Sequence, residues 1–274
     1  MKTNVLILAA GYGTRLEKDI KASSPKFDHL LGLPKGLLPI QGKPILSHWI
    51  ETLELAPMNI NKVIVISNDK FYEQYNDWLN KNHKNSTLEI IVVNDGSDCN
   101  ENRLGCCKSI KFGLDQVGKL DGECEDTENS DNIESRCLVI ASDILFARPY
   151  DITPFLTENR SETSQVYVYN CPTELVHKHG ILEVSEEKKV TKFLEKPDPS
   201  ETESRSACPC FYLFAGDALR ALGKFLKQPN VPDSSGHFLR YLVERTEVGI
   251  FATEISKRYD IGNLESYNAC DSSY

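Results

Sequence analysis

Gly11-Tyr12-Gly13-Thr14-Arg15 puts two glycines, a hydroxyl and a guanidinium within one short stretch. Glycines lack the Cβ that keeps backbone N–H groups away from phosphate oxygens, and arginine offers those oxygens a planar donor fork. Phosphate binding is the chemistry this stretch suits, although a bare Gly-x-Gly also fits an ordinary strand-to-loop turn. A dinucleotide fingerprint would need a further glycine where Leu16 stands, and the Gly-Lys-Ser/Thr of a Walker A loop is nowhere in the chain. A second candidate is Asp143, which ends the apolar run 138–141. An acid at the carboxyl end of a parallel strand lies at the ligand edge of the sheet, and the same position suits a helix N-cap or a turn. His177 and His179 alternate without a third ligand placed beside them, so no metal site is expected there. The nine cysteines form no Cys-x-x-Cys pair. Cys106-Cys107 and Cys208-Pro209-Cys210 are close in sequence, but two ligands do not make a zinc site, and reduced, mostly buried thiols are expected.

These residues need a scaffold, and the hydrophobic pattern supplies one. Continuous apolar runs at 5–10, 62–67, 88–93 and 137–141 suit strands buried on both faces of a parallel sheet. Helical patterns over 44–55, 71–82 and 104–117 fall between them. That order predicts an α/β fold, a doubly wound, mostly parallel Rossmann-like sheet whose ligands bind at the carboxyl ends of the strands. A smaller mixed β region follows: a strand at 165–170, a hairpin over 180–184 and 189–194, a strand at 211–214, helices at 217–226 and 237–245, and an extended stretch at 248–253. The segment 118–136 is acidic and nearly free of apolar side chains, as expected of a flexible surface insertion, and residues 17–33 are expected to form a long loop. No repeat or linker divides the chain, which is expected to be a single nucleotidyltransferase domain over 1–274.

Two further stretches carry a family likeness. Leu8-Ala9-Ala10-Gly11-Tyr12-Gly13-Thr14-Arg15-Leu16 followed by Pro34-Lys35-Gly36-Leu37-Leu38-Pro39-Ile40-Gln41-Gly42-Lys43-Pro44-Ile45-Leu46 resembles the sugar-nucleotide pyrophosphorylases, the sugar-1-phosphate nucleotidyltransferases. The later elements Glu195-Lys196-Pro197, Ala207-Cys208-Pro209-Cys210-Phe211-Tyr212 and Asp260-Ile261-Gly262-Asn263 look like a eukaryotic branch of the thymidylyl/uridylyltransferase-like proteins. The resemblance implies that Ala9, Ala10, Gly11, Gly13 and Thr14 bind nucleotide. It makes Arg15, Lys35 and Lys196 catalytic and gives Mg²⁺ to Asp143 and Asp260. Gly180, Glu195 and Cys208 would line the sugar pocket, and Asn102 and Gly105 would read the base. Lys26 follows Arg15 at the more usual distance, but only Lys35 leads into the Leu-Leu-Pro-Ile continuation. His179 stands where the family has an aromatic residue, and Cys210 where a glycine is usual.

The implied reaction joins an NTP, with UTP or dTTP favoured, to a sugar 1-phosphate such as glucose 1-phosphate and releases pyrophosphate. A cytidylyltransferase acting on a phosphorylated alcohol such as phosphocholine shares the first motifs, but the Glu195-Lys196-Pro197 element favours a sugar. A non-catalytic nucleotide-sugar-binding subunit would usually have lost one of the charged residues that are all present here. The formal net charge of −9 argues against nucleic acid as the main partner and requires a local positive pocket for phosphate. No apolar run reaches the length of a membrane span, and residues 1–10 lack the order of a signal peptide, so a cytoplasmic location is expected. A homo-oligomer is compatible with the sequence.

Overall fold

A computed structural model describes residues 2–23, 25–56, 59–121, 136–157, 163–230, 232 and 234–274. The first half alternates strand and helix. β1 (Thr3–Leu8) leads into α1 (Thr14–Ala22), 3-10 turns over Pro25–Leu30 and Lys35–Leu37, and the short strands β2 (Pro39–Ile40) and β3 (Lys43–Pro44). Then come α2 (Ile45–Glu54), β4 (Ile60–Ser67), α3 (Tyr72–Asn82), β5 (Ile90–Asn94), α4 (Cys106–Asp121) and β6 (Arg136–Ala141). The second half holds β7 (Ile144–Phe146), α5 (Thr153–Thr157), β8 (Ser164–Asn170), β9 (Gly180–Val184), β10 (Val190–Glu195), β11 (Ser206–Ala207) and β12 (Phe211–Phe214). It closes with α6 (Gly216–Leu226), α7 (Ser235–Arg245), β13 (Ile250–Glu254), β14 (Arg258–Asp260) and α8 (Leu264–Ser273).

The main sheet runs β10-β9-β11-β8-β12-β6-β1-β4-β5, with β13 added beside β8. β1 pairs in parallel with β4 and β6, and β4 with β5, which is the doubly wound half. Antiparallel β12 bridges β6 to β8, and the β9–β10 hairpin lies beyond. The apolar runs are explained by burial on both faces. Val5 and Ile7 face one core with Trp49, Tyr75 and Trp78, whereas Leu6 faces the other with Ile110, Phe214 and Phe238. Fully burying each such side chain is worth about 1.5–3 kcal/mol, which fixes the register of the central strands.

Two expectations need correction. Residues 17–33 are not a loop: Leu16 and Ile20, one turn apart, are buried and make α1 an amphipathic helix, and the Pro25–Leu30 turn buries Leu30. The acidic segment also begins later than expected. α4 continues to Asp121, whose carboxylate pairs with Lys62 of β4, and residues 122–135 lie outside the described residues. At the far end of the segment Arg136 already belongs to β6, directed at the carbonyl of Leu156.

Candidate active site

The carboxyl ends of β1, β4 and β6 form one edge. There the Ala9 N–H donates to Ile66 O at 2.9 Å, and the Ser142 N–H donates to Leu8 O at 3.1 Å. Asn68 Nδ2 donates to Ala10 O at 3.0 Å, which holds the chain as it leaves β1. Gly13 precedes α1 with φ +65°, a backbone conformation that side chains disfavour. The amide groups of the first helical turn, with the positive end of the helix dipole, give this terminus the character that suits an anion. Tyr12 ties the loop down on its other side, donating from its hydroxyl to Ser97 O at 2.9 Å. Arg15 is exposed on the first turn of α1 and has no partner among the described residues.

Lys35 comes to this edge from the following turn. Its Nζ donates to Asp143 Oδ2 at 2.9 Å, with the two side chains 15% and 27% exposed. Its Cγ lies 3.6 Å from where a Cβ on Gly13 would stand, so the lysine stem runs directly under the glycine loop. What fixes Lys35 is its neighbour. Gly36 is packed so closely that a Cβ there would meet Leu46 Cγ and the Tyr75 hydroxyl at 3.0 Å and Ser142 Cβ at 3.2 Å. Tyr75 is wholly buried, and its hydroxyl serves Ala9 O at 3.5 Å, the Gly36 backbone and Ser142 together. Burial pushes its phenol far up, so it remains a neutral hydrogen-bonding group.

Asp260 reaches the same edge across a long sequence separation. β14 pairs with β7 so that Asp260 stands opposite Ile144, and the Ile261 N–H donates to Asp143 O at 2.9 Å. The two candidate metal acids therefore lie on adjoining backbone segments at one edge of the fold. Asp260 Oδ2 accepts from Arg258 Nη1 at 2.5 Å, with Asp260 48% and Arg258 10% exposed. Arg258 lies over the ring of Tyr169, 4.8 Å from its centroid, and its Nη2 is 3.4 Å from His179 Nδ1. Burial, and then the Arg258 charge, lower the His179 pKa, so the imidazole is neutral near pH 7. Arg258 and Tyr75 had no assigned role in the sequence. For Arg258 the signal was Arg-Tyr-Asp in an extended strand, which puts its first and third side chains on one face.

The sugar-pocket candidates also gather. The Cys208 N–H donates to Gly180 O at 2.9 Å. Glu195 Oε2 lies 3.7 Å from a Cβ built on Gly180 and 2.5 Å from one built on Gly236, so glycine at 236 leaves this carboxylate its space. Burial pushes the Cys208 thiol up to about 12, which keeps it protonated. Lys196 is 61% exposed, with Nζ 3.9 Å from Glu195 Oε1 and a left-handed backbone at φ +50°. Gly105, φ +84°, precedes α4. Asn102 is differently employed: exposed, it donates from Nδ2 to Asp98 Oδ1 at 2.6 Å and accepts from the Cys99 N–H at 3.2 Å, capping its own turn.

The nucleotidyl transferase family model matches residues 4–274. The chain belongs to the nucleotidyl transferase family. This nucleotidyl transferase is 27% identical over 203 residues to the bifunctional protein GlmU of Methanococcus vannielii, a match covering 74% of the chain and 37% of that relative. It is 26% identical over 202 residues to GlmU of Methanococcus maripaludis strain C5, covering 73% and 37%. The chain thus matches well under half the length of those relatives. Its fold is that of apo UDP-glucose pyrophosphorylase, with a TM-score of 0.74, 21% identity, and 100% and 98% of the two chains covered. A putative glucose-1-phosphate thymidylyltransferase from Bacillus anthracis superposes with a TM-score of 0.71 at 19% identity, covering 98% and 94%. Among the described residues no helix is long and apolar enough to cross a membrane.

Proposed function

We propose that this chain transfers a nucleotidyl group from UTP or dTTP to a sugar 1-phosphate, glucose 1-phosphate foremost, and releases pyrophosphate. The observation that carries the reading is the Lys35–Asp143 pair under the Gly13 loop, with Asp260 on the adjoining strand. It sets one cation, Lys35, and two carboxylates that could take Mg²⁺ beside the amide end of α1, on a chain whose formal net charge is −9. The relatives support the substrate class, since solved structures of the same fold include a UDP-glucose pyrophosphorylase complexed with UDP-glucose and a UTP-bound UGPase from Acinetobacter baumannii.

An oxygen of the sugar 1-phosphate attacks the α-phosphorus of the NTP. The bond from that phosphorus to the oxygen bridging α and β breaks, and pyrophosphate leaves in line. No covalent nucleophile is required, because phosphoryl-type transfer is catalysed by positioning and charge neutralisation. The Gly11–Gly13 loop and the first turn of α1 cradle the triphosphate. Arg15, exposed on α1, and Lys35 offset charge on the departing pyrophosphate, and Lys196 steadies the attacking phosphate. Arg258 holds Asp260 in place, and Glu195 and Gly180 accept the sugar. Asp143 and Asp260 fit Mg²⁺: they are hard oxygen donors, and no group of three ligating side chains is present among the described residues. That suits an ion held by one or two carboxylates and substrate phosphates. When bound, Mg²⁺ supplies neutralisation of charge on the reacting phosphates. The thymine or uracil edge is read by the backbone around Gly105, given the local engagement of Asn102.

A matrix of NTPs against sugar 1-phosphates, scored by pyrophosphate release with and without Mg²⁺, tests the reading. UTP or dTTP with glucose 1-phosphate is expected to give the strongest Mg²⁺-dependent signal. Release with CTP and phosphocholine, and none with any sugar 1-phosphate, would overturn it.

A further inference from the structure

Gly236 belongs to none of the motifs read from the sequence, yet it lies against the proposed sugar pocket. Glu195 stands opposite Gly180 in the β9–β10 pairing, and Phe193, two residues earlier, shares its face of β10. A Cβ on Gly180 would stand 2.6 Å from Phe193 Cζ. A Cβ on Gly236 would come closer still to that ring carbon and would meet Glu195 Oε2 at 2.5 Å. The ring edge and the carboxylate thus sit between two glycines, one on β9 and one on α7. The first turn of α7 is tied in place. The Tyr212 hydroxyl and Ser235 Oγ share a hydrogen bond of 2.8 Å, and Ser234 Oγ accepts the Gly236 N–H at 3.3 Å. Cys107 Sγ of α4 donates to Ser234 O at 3.5 Å. Phe193 is buried. The Glu195 side chain, 22% exposed, ends a flexible stem, so of the groups crowding position 236 it is the one with room to move.

We infer that Gly236 is a positioning residue for the sugar 1-phosphate: its missing side chain lets the Glu195 carboxylate stand beside Gly180, and a larger residue there displaces that carboxylate. The inference rests on the sugar-binding role proposed above for Glu195. A carboxylate accepts hydrogen bonds from sugar hydroxyls, and such charge-assisted bonds are stronger than neutral ones. They also depend on where the acceptor is held. Because Glu195 serves the sugar and not the triphosphate, moving it weakens one substrate and spares the other. A glycine that merely relieved packing would not discriminate between the two substrates. It would lower stability and leave both affinities to change together or not at all.

The test compares Gly236→Ala with the parent in steady-state pyrophosphate release, varying the most active NTP and sugar 1-phosphate in turn. KM for the sugar 1-phosphate should rise by roughly 10–100-fold, the loss of a hydrogen bond to a charged group. KM for the NTP should stay within about twofold, and kcat should fall by less than the sugar KM rises. In a Glu195→Ala background the same substitution should add no more than about twofold to the sugar KM, because the group it displaces is gone. Gly223→Ala on α6, where an added Cβ has no neighbour within 4 Å, should change neither constant. Should Gly236→Ala fold poorly, the double variant with Phe193→Leu carries the kinetic test. Urea unfolding gives a readout independent of turnover. Phe193→Leu shortens the group nearest the new Cβ, so the double variant should lose less stability than the two single losses summed. An unchanged sugar KM, an equal rise in both KM values, a large rise that persists without the Glu195 carboxylate, or additive losses in urea would each overturn the assignment. If the parent releases no pyrophosphate with any sugar 1-phosphate, the nucleotidyl-transfer reading fails and takes the sugar role of Glu195 with it. The unfolding cycle then still decides whether Gly236 seats this strand.

Discussion

Replacing Gly36 by alanine should damage the site without touching any charged group. The added Cβ would stand 3.0 Å from Leu46 Cγ, 3.0 Å from the Tyr75 hydroxyl and 3.2 Å from Ser142 Cβ. Carbon atoms prefer about 3.5–4.0 Å, so each neighbour must retreat by roughly half an ångström. None retreats freely: Leu46, Tyr75 and Ser142 are all buried. Overpacking of this kind costs about 1–3 kcal/mol. The backbone will share the displacement, and the preceding residue is Lys35, held 2.9 Å from Asp143. Because a misplacement of about 1 Å can cost 10²-fold in rate, a shift of half that size should lower pyrophosphate release by roughly tenfold. Tyr75→Phe provides the internal check. Alone it removes a buried hydroxyl with backbone partners and should cost about 1–2 kcal/mol. Combined with Gly36→Ala it vacates one of the crowded sides, so the double variant should be more stable than the sum of the singles by about 0.5–3 kcal/mol. Urea unfolding of the four proteins and their turnover with UTP and glucose 1-phosphate measure both effects. If Gly36→Ala matches the parent in midpoint and rate, or the two changes add, the packing account of how Lys35 is placed is wrong.

Lys35→Met should reduce turnover by about 10³-fold, the lower end for a cation removed from a transferring phosphate, and Asp143→Asn by about as much through loss of a carboxylate assigned to Mg²⁺, while circular dichroism shows retained fold; turnover within tenfold of the parent in either folded variant rejects its assigned role. Arg258→Gln leaves Asp260 without its holder, so half-saturating Mg²⁺ in the pyrophosphate assay should rise by about 10–100-fold; an unchanged Mg²⁺ titration would show that Asp260 needs no such support. The pH dependence of stability follows from His48 and His83, whose pKa values are lowered chiefly by burial below the ordinary 6.5. Their unfolded forms bind protons more readily, so stability is fully present above 6.5 and is lost as pH falls toward their folded values. Melting temperature should drop below pH 6.5, and a flat profile from pH 7 to 5 would contradict the burial of these rings.

The parallel half of the sheet was legible because its strands are covered on both faces and therefore spelled as unbroken apolar runs. α1 was not, since only Leu16 and Ile20 are buried in an otherwise charged stretch. α8 is still less legible, burying only Tyr267 and Cys270. For the site, the glycine loop and Asp143 could be found from their positions relative to a strand. The approach of Asp260 to Asp143 could not, because β7–β14 pairing joins segments far apart in the chain and no local pattern records it. Tyr75 reads as one more core aromatic on a helix until its hydroxyl is seen among three backbone segments. Asn102 shows the converse: a short polar side chain beside a turn can cap that turn, as its bonds to Asp98 and the Cys99 N–H do here, which its residue type alone does not reveal.

The way Gly36 is seated bears on how this chain can change. Lys35 takes its place from α3 and from the end of β6, and owes little to the 3-10 turn that precedes it. The exposed positions around the buried Leu30 are thus free to vary over generations while the lysine stays at its post. A protein built this way can remodel the rim of the proposed triphosphate site, and with it the molecules admitted there, without renegotiating the chemistry beneath.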